Sequence, residues 1–231
     1  MIKILAFDLF GTLVDTSSIS KVFPERNISK INSKSFMETW QSKQLQYAWF
    51  LNSINKFEPF SDLSIRALKF TLKIHSIELN SDQIDRFREA QLQLDPFPDS
   101  KKGLEVLLKS KNNADYNNSR KLVILSNGES VKTDKLLSNI SLRRYFDHIF
   151  SAEEVRKYKP AKELYILASE RLNISVSEIA LVSSNLWDIA GAQSAGMQTC
   201  WINRKDKKTN EELDIKADYV LSSIEDLKQI L

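Results

Sequence analysis

Residues 2–13, with the sequence IKILAFDLFGTL, decide how this chain is expected to fold. The run Ile2–Phe7 is almost entirely apolar, and Asp8 follows it as the first acidic side chain. A short continuous apolar run is typical of a strand buried on both faces, as in a parallel sheet covered by helices. Gly11 permits a tight turn soon after that strand. The sequence therefore predicts that Asp8 lies at the carboxyl end of a buried strand, where open parallel sheets bind their ligands.

Four later apolar runs have the same character and are predicted to be further strands of this sheet. They are Lys121–Leu125, Ile179–Val182, Gln198–Ile202 and Tyr219–Leu221. Helical patterns separate these runs, and one of them follows Pro160, a residue type that is favoured in the first turn of a helix. The alternation of strands and helices predicts an α/β fold with a doubly wound parallel sheet.

Residues 16–98 interrupt this alternation with three helical patterns. The first has apolar side chains spaced by four, seven, four and three residues, which is typical of one helix face. Its members are Phe36, Trp40, Tyr47, Leu51 and Ile54, and the other two patterns cover Leu63–Ile74 and Gln83–Leu94. We therefore predict a helical cap domain at residues 16–98, inserted into a core domain formed by residues 1–15 and 99–231.

The overall composition limits the class of protein and its partners. With 231 residues, 42% of them hydrophobic, the chain can bury a substantial core, and its net charge is only +3. Lys and Glu are interspersed without a basic block of five or more residues, which argues against a nucleic-acid partner. The single cysteine, Cys200, excludes a disulfide within the chain. No signal peptide or membrane span is apparent, so we expect a soluble, cytoplasmic protein without a membrane partner.

Four short motifs occur in order along nearly the whole chain. They are Asp8-Leu9-Phe10-Gly11-Thr12, Leu125-Ser126-Asn127-Gly128, Tyr158-Lys159-Pro160 and Val182-Ser183-Ser184-Asn185-Leu186-Trp187-Asp188. This series resembles the haloacid-dehalogenase superfamily, and the match extends to Trp201-Ile202-Asn203-Arg204 and to Lys43-Gln44-Leu45 in the predicted cap. The resemblance implies a Rossmann-like core with an inserted cap, and it identifies Asp8 as an attacking nucleophile.

Two positions distinguish between the enzyme classes of this superfamily. Most members transfer phosphoryl groups and carry a second Asp two residues after the nucleophile, where this chain has Phe10. They also bind magnesium through an acidic residue in the fourth motif, where this chain has Ser183 and Ser184. Magnesium usually binds through carboxylate oxygens. Halide leaves a saturated carbon as a stable anion, so its departure needs no acid. In these two positions the chain resembles the L-2-haloacid dehalogenase branch of the superfamily.

Membership of that branch would imply a hydrolase acting on carbon–halide bonds. It would convert (S)-2-haloalkanoic acids into (R)-2-hydroxy acids through an ester with Asp8, releasing halide and using neither a metal ion nor another cofactor. The small-molecule 2-haloacid would be its main partner, and the resemblance also implies a homodimer. A phosphatase of the same superfamily, acting on a small phosphorylated metabolite, is the alternative enzyme, and a non-catalytic binding protein is the third hypothesis.

The resemblance assigns roles to individual residues of this chain. The implied catalytic residues are Asp8, Lys159, Ser183, Asn185 and Asp188. The implied substrate-binding residues are Leu9, Phe10, Thr12, Gln41, Ser126, Asn127, Tyr165 and Trp187. Lys159 would hold Asp8 ionised, and Asp188 would help to activate water. From the residues alone, plainer alternatives stay open: a solvated lysine for Lys159, helix capping for Ser126 and Asn127, and ordinary packing for Tyr165 and Trp187.

One residue departs from the pattern of the branch. Its members have an arginine after the cap tryptophan, and this arginine helps to abstract halide, whereas here Trp40 is followed by Gln41. An amide donates a hydrogen bond but carries no charge. We therefore expect slower turnover, a different halide preference, or replacement of the arginine by another cation such as Lys43.

Overall fold

The computed structural model describes residues 2–22, 33–113, 120–204 and 214–230. Within these residues the chain forms a six-stranded sheet and a separate two-stranded ribbon. The strands are β1 (Ile4–Phe7), β2 (Val14–Asp15), β3 (Asp95–Pro96), β4 (Lys121–Ser126), β5 (His148–Ser151), β6 (Ile179–Ser183), β7 (Gln198–Ile202) and β8 (Tyr219–Leu221). The α-helices are α1 (Ser33–Ser53), α2 (Phe60–Ile74), α3 (Ser81–Ala90), α4 (Pro98–Asn113), α5 (Ser130–Asn139), α6 (Ala152–Val155), α7 (Lys162–Leu172) and α8 (Leu186–Ala195).

The large sheet has the strand order β5-β4-β1-β6-β7-β8, and all neighbouring strands run parallel. The chain therefore leaves β1 for one side of the sheet, forms β4 and β5, and then crosses to the other side for β6 to β8. This arrangement confirms the predicted doubly wound parallel sheet. The order reverses at β1, and the crevice beyond the carboxyl end of a strand at such a switch point is where ligands bind in this class of fold.

Strand β5 was missed by the sequence analysis, which identified the other five strands of the sheet. It lies at an edge and pairs only with β4. Its first residue, His148, is exposed, and Ile149 is only half-buried. A short edge strand of this kind is not covered on both faces, so it lacks the continuous apolar run that identified the central strands.

The residues of β1 alternate between two hydrophobic clusters, one on each face of the sheet. Leu5 and Phe7 belong to one cluster, and Ile4 and Ala6 belong to the other. All four are at most 3% exposed, and burying a side chain as large as Phe7 contributes about 1.5–3 kcal/mol. Because side chains pack against β1 on both faces of the sheet, the backbone at the next residue, Asp8, is held in a fixed position.

Helices α1, α2 and α3 confirm the three helical patterns predicted between residues 16 and 98. The third pattern was predicted to reach Leu94, but α3 ends at Ala90 and the chain then turns. Leu94 is 3% exposed, so its apolar character reflects packing against the core rather than helix. Asn80 caps the start of α3 through a capping box with Gln83.

The ribbon of β2 and β3 joins the two points at which the chain enters and leaves this helical segment. Val14 pairs with Pro96, and Asp15 pairs with Asp95. The ribbon thus lies at the predicted boundaries of the cap, while the division into two domains stays a prediction. In the described part of the chain, no helix combines the length and apolar character needed to cross a membrane.

Candidate active site

The Asp8 carboxylate lies at the carboxyl end of β1 and is 4% exposed. Its Oδ2 atom accepts hydrogen bonds from Thr12 Oγ1 at 2.7 Å and from Asn185 Nδ2 at 2.9 Å. Its Oδ1 atom accepts from Lys159 Nζ at 2.8 Å. The backbone N–H of Asp8 donates to the Val182 carbonyl of β6 at 3.0 Å. Main chain and side chain are both held, so the carboxylate has one defined orientation.

Lys159 is fully buried, and its ammonium group connects the carboxylates of Asp8 and Asp188. Nζ donates to Asp8 Oδ1 at 2.8 Å, to Asp188 Oδ2 at 2.7 Å and to the Leu125 carbonyl at 3.0 Å. An ammonium has three N–H donors, so all of them are used. Burial alone would lower the pKa of Lys159, but the negative charges of Asp188 and Asp8 outweigh it and raise the pKa above its usual value. The solvated alternative for Lys159 is wrong.

Asp188 is fully buried on the first turn of α8 and has a second partner in Tyr165 of α7. Tyr165 Oη donates to Asp188 Oδ1 at 2.6 Å. Burial, together with the adjacent Asp188 charge, raises the pKa of Tyr165 well above its usual value, so the hydroxyl stays protonated. Burial raises the pKa of Asp188, the positive charge of Lys159 opposes this shift, and the negative charge of Asp8 adds to it, with a net rise. Ordinary packing therefore does not account for Tyr165.

The loop after β6 supplies the remaining polar contacts of the site. Ser183, the last residue of β6, is fully buried, and its Oγ accepts the N–H of Asn185 at 3.1 Å. The N–H of Ser184 donates to Thr12 Oγ1 at 2.9 Å, which leaves the Thr12 hydroxyl proton for Asp8. Ser183 therefore fixes the loop, whereas Asn185 and Thr12 contact the carboxylate itself.

Ser126 is the last residue of β4 and Asn127 follows it, beside the end of β1. Helix α5 begins at Ser130 with Glu129 as its N-cap, so neither Ser126 nor Asn127 caps it, contrary to the plainer alternative. Ser126 Oγ accepts the N–H of Gly128 at 3.0 Å. Asn127 Oδ1 accepts the N–H of Lys159 at 2.8 Å, and it thereby ties the lysine backbone to the adjacent loop.

Aromatic rings surround these polar groups. Phe10 stacks on Phe60 of α2, with ring centroids 6.4 Å apart. The ring of Trp187 packs against Trp49 of α1 at 6.1 Å, and its centroid lies 5.8 Å from Lys159 Nζ. Leu9, in contrast, is fully buried in the hydrophobic core, so only its backbone remains for the predicted contact with substrate.

Gln41 and Lys43 occupy different environments on α1. Gln41 is half-buried, lines a cleft together with Gly11 and Asn185, and donates through Nε2 to Thr16 Oγ1 at 2.7 Å. Lys43 Nζ lies 4.0 Å from the ring centroid of Phe70 on α2 and bonds to Gln46 on the surface of α1. The hypothesis that Lys43 replaces the arginine of the branch is therefore wrong.

Two contacts from α1 to the lysine segment were not anticipated from the sequence. Asn52 binds both backbone groups of Tyr158: its Nδ2 donates to the carbonyl at 2.7 Å, and its Oδ1 accepts the N–H at 3.0 Å. Trp49 Nε1 donates to the Lys159 carbonyl at 3.3 Å. Asn52 and Tyr158 are 106 positions apart, and no spacing pattern relates them, so no sequence signal could have identified the pair.

Arg204 is a further residue whose role was not anticipated. Its Nε lies 3.0 Å from both carboxylate oxygens of Asp99. Its two terminal nitrogens donate to the Thr12 carbonyl at 2.7 Å and to Ser184 Oγ at 3.1 Å. Arg204 thus links the turn after β1 to the loop after β6. The sequence analysis had included it only as part of a motif match.

Comparisons with known proteins agree on one family. A family model described as haloacid dehalogenase-like hydrolase matches residues 2–196. The chain is 32% identical to "(S)-2-haloacid dehalogenase 2" of Pseudomonas sp. (strain CBS-3), over 100% of this chain and 96% of that protein. It is 34% identical to the (S)-2-haloacid dehalogenase of Pseudomonas sp. (strain YL), over 96% and 91%. The structure of L-2-haloacid dehalogenase from Xanthobacter autotrophicus with chloropropionic acid covalently bound superimposes with a TM-score of 0.86 at 25% identity, covering 100% and 98% of the two chains.

Proposed function

The chain belongs to the haloacid dehalogenase-like hydrolase family, and on this premise we propose that it is an (S)-2-haloacid dehalogenase, a hydrolase acting on carbon–halide bonds. The observation that carries the proposal is the buried Asp8 carboxylate, oriented by Thr12, Asn185 and Lys159. A carboxylate becomes an effective nucleophile when the site strips its water and orients it. The apolar ring of Phe10 stands where a phosphatase would need a proton donor.

In the first step, an Asp8 oxygen attacks Cα of an (S)-2-haloalkanoate from behind the carbon–halogen bond. A carbon–oxygen bond forms, the carbon–halogen bond breaks, and the halide leaves with the electron pair. The substrate carboxylate is received by the backbone after β4, at Ser126 and Asn127. Phe10 and Trp187 flank the reacting carbon, the Leu9 backbone lies beside it, and Gln41 reaches the same space from α1.

In the second step, water attacks the carboxyl carbon of the Asp8 ester. One water proton goes to Asp188 and the other to the departing alkoxide, so that an (R)-2-hydroxy acid leaves and Asp8 is restored. Asp188 then releases its proton to solvent, which accounts for the one proton that the overall reaction produces. Lys159 and Asn185 donate to the oxyanion that forms at the ester carbonyl. Tyr165 and Ser183 are positioning residues, because Tyr165 bonds Asp188 and Ser183 bonds the backbone of Asn185.

The reaction is proposed to need no metal ion. Lys159 Nζ lies between the carboxylates of Asp8 and Asp188, at 2.8 and 2.7 Å. This ammonium supplies a fixed positive charge beside both carboxylates, and stabilising negative charge is one of the functions that a divalent cation serves in metal-dependent hydrolases. Ser183 and Ser184 add hydroxyl groups there rather than a further carboxylate.

The test is halide release from (S)-2-chloropropionate, with and without exhaustive chelation. We expect release that chelation does not reduce and magnesium does not stimulate, (R)-lactate as the product, and no release by Asp8→Asn. In heavy-oxygen water, a single turnover should place the label in Asp8 before the product. Magnesium-dependent hydrolysis of p-nitrophenyl phosphate, with no halide from either enantiomer of 2-chloropropionate, would instead establish the alternative phosphatase.

We also propose that the protein acts as a homodimer and that the helical segment at residues 16–98 is its cap domain. Helices α1 and α2, together with the residue that follows α1, expose large apolar side chains. Phe50 and Ile74 are each 61% exposed, Ile54 is 44% exposed and Trp49 is 40% exposed. Burying these side chains against a second copy would remove a considerable apolar area from water.

A further inference from the structure

A cavity of about 220 Å³ lies between the helical segment and the core, beside the candidate active site. Phe10 and Gly128 line it from the core, and Phe60 and Leu92 line it from the helical segment. None of Asp8, Lys159 or Asp188 contributes to its wall, so it is a separate space from the one in which the carboxylates meet. A single water molecule needs roughly 10–15 Å³, and the cavity is therefore large enough for several heavy atoms.

Two of the residues that line this cavity each have a buried polar atom without a hydrogen-bond partner among the described residues. These atoms are Gln91 Nε2 and Thr133 Oγ1. Thr133 is only 2% exposed. The other amide atom of Gln91, Oε1, accepts from Ser64 Oγ at 2.8 Å, which fixes the amide and leaves its N–H groups for a different partner. Buried polar groups are seldom left unpaired in folded proteins, so these two donors indicate a ligand oxygen.

The charged residues at the cavity favour an uncharged ligand group. Arg88 is paired with Asp62 at 3.4 Å, and Lys132 is paired with Glu129 at 2.8 Å. Each of these cations therefore already has an anionic partner, and Glu129 would repel a second carboxylate. A hydroxyl or ketone oxygen can accept from Gln91 and Thr133 without this repulsion.

The cavity begins where the candidate active site ends. Phe10 is two residues from Asp8, and Gly128 follows Asn127 directly. A Cβ at Gly128 would lie 3.3 Å from the Phe10 ring and 3.3 Å from Thr133 Oγ1. A side chain at this position would therefore crowd both the Phe10 ring and the Thr133 hydroxyl.

We propose that this cavity is a subsite for the distal end of the substrate. Its ligand class is a 2-haloalkanoic acid whose chain extends past the Phe10 ring and carries a neutral oxygen acceptor, which Gln91 and Thr133 bind. The inference rests on the proposed dehalogenase function, and it adds a preference for a longer, oxygen-bearing chain. The apolar walls at Leu92 and Leu136 contact the methylene groups of that chain.

The test compares kcat/KM for three substrates: (S)-2-chloropropionate, (S)-2-chloroheptanoate and (S)-2-chloro-6-oxoheptanoate. Thr133→Val removes the hydroxyl at nearly constant volume. It should lower the ratio of the ketone to the heptanoate by about fivefold, the value of one typical hydrogen bond. The matched control is Thr71→Val, because the Thr71 hydroxyl bonds within α2 to the Ala67 carbonyl and does not line the cavity. This variant should leave the ratio unchanged.

A second variant tests the volume of the cavity rather than its hydrogen bonds. Leu92→Phe should reduce kcat/KM for both seven-carbon substrates relative to chloropropionate. If chloropropionate is hydrolysed but neither Thr133→Val nor Leu92→Phe changes these ratios, the subsite is wrong while the dehalogenase function stands. If no substrate releases halide, the dehalogenase function and the subsite fall together.

Discussion

Three charged side chains of the site, Asp8, Lys159 and Asp188, share one buried space. Two carboxylates and one ammonium give the group a net negative charge, and each is at most 4% exposed. Removing such charges from water is costly unless they are paired and hydrogen-bonded. All three ammonium protons have acceptors, and Tyr165, Thr12 and Asn185 bond the remaining carboxylate oxygens. The lysine therefore serves the fold and the chemistry through the same contacts.

Replacing this lysine should impair both activity and stability. In Lys159→Met, Asp8 and Asp188 lose their shared countercharge, so we expect halide release to fall by several orders of magnitude. Breaking a buried ion pair typically costs about 3–5 kcal/mol, and we expect a loss of this size in the free energy of unfolding in urea. A rate loss below about tenfold, or about 1.4 kcal/mol in the barrier, would contradict the proposed role.

The pH dependence of the stability lost in Lys159→Met tests the same ion pairs of Lys159 with Asp8 and Asp188. The pKa of Lys159 is raised in the folded protein above its usual value by the charges of Asp188 and Asp8, which outweigh the effect of burial. A raised pKa means that the stabilisation is fully present below the unfolded pKa and is lost as pH rises through the folded pKa. The difference in unfolding free energy between wild type and Lys159→Met should therefore stay constant from about pH 8 to 10 and narrow only above that range. Narrowing below about pH 9 would mean that the ammonium is not stabilised.

Gln41 should limit the rate of halide departure. In Gln41→Arg, a positive charge near the departing halide should raise kcat/KM for (S)-2-chloropropionate by about tenfold, since a charged donor stabilises developing negative charge better than an amide. Bromide is the better leaving group, so the gain on (S)-2-bromopropionate should be smaller. Lys43→Gln is the control, because Lys43 lies over Phe70. If Lys43→Gln lowers the rate and Gln41→Arg does not raise it, Lys43 rather than Gln41 would be the residue that assists halide departure.

Among the secondary-structure elements, α1 connects the helical segment to the catalytic lysine. The Asn52 side chain bonds both the N–H and the carbonyl of Tyr158, as a neighbouring β-strand would do. Trp49 donates to the carbonyl of the next residue, Lys159. The Tyr158 hydroxyl bonds the Glu58 carbonyl in the connection between α1 and α2. The backbone just before Lys159 is thus held by the helical segment as much as by the core.

Asn52 should accordingly act as a positioning residue. Asn52→Ala removes both bonds to the Tyr158 backbone, and we expect kcat to fall about tenfold with a smaller change in KM, because misplacing a catalytic group raises the barrier. Ser53→Ala is the neighbouring control, since Ser53 Oγ donates to the Phe50 carbonyl within the same helix. Steady-state halide release measures both variants. Equal kcat values for Asn52→Ala and wild type would restrict Asn52 to a structural role.

The elements that could be predicted from the sequence are those whose residues repeat a local pattern. Strand β1 and helix α2 have such patterns, and the end of the β1 pattern placed Asp8 at the carboxyl edge of the sheet, whereas Lys159 was identified only through the family resemblance. Edge strand β5 lacked the pattern because it is covered less completely. The clamp between Asn52 and Tyr158 and the cavity at Thr133 were beyond prediction, because each depends on residues that only the packed helices bring together.

At the scale of the whole molecule, the exposed apolar side chains of α1 and α2 predict self-association. Phe50 on α1 and Ile74 on α2 are each 61% exposed. Trp49, which precedes Phe50 on α1, also packs against Trp187 in the candidate site. A partner copy that covers this part of α1 would therefore restrain the helix that holds the Lys159 backbone. We expect wild-type protein to sediment at twice the 26.6 kDa of one chain.

Charge introduced into this surface should dissociate the dimer. Phe50→Glu would place a carboxylate in an apolar interface, where burying it without a partner is unfavourable, so the variant should sediment as a monomer at micromolar concentration. Val220→Glu is the matched control, because Val220 is 59% exposed on β8, an edge strand of the large sheet, and lies on neither α1 nor α2. This control should keep the mass of the dimer. A monomeric wild type, or dissociation caused equally by both variants, would contradict an interface on α1 and α2.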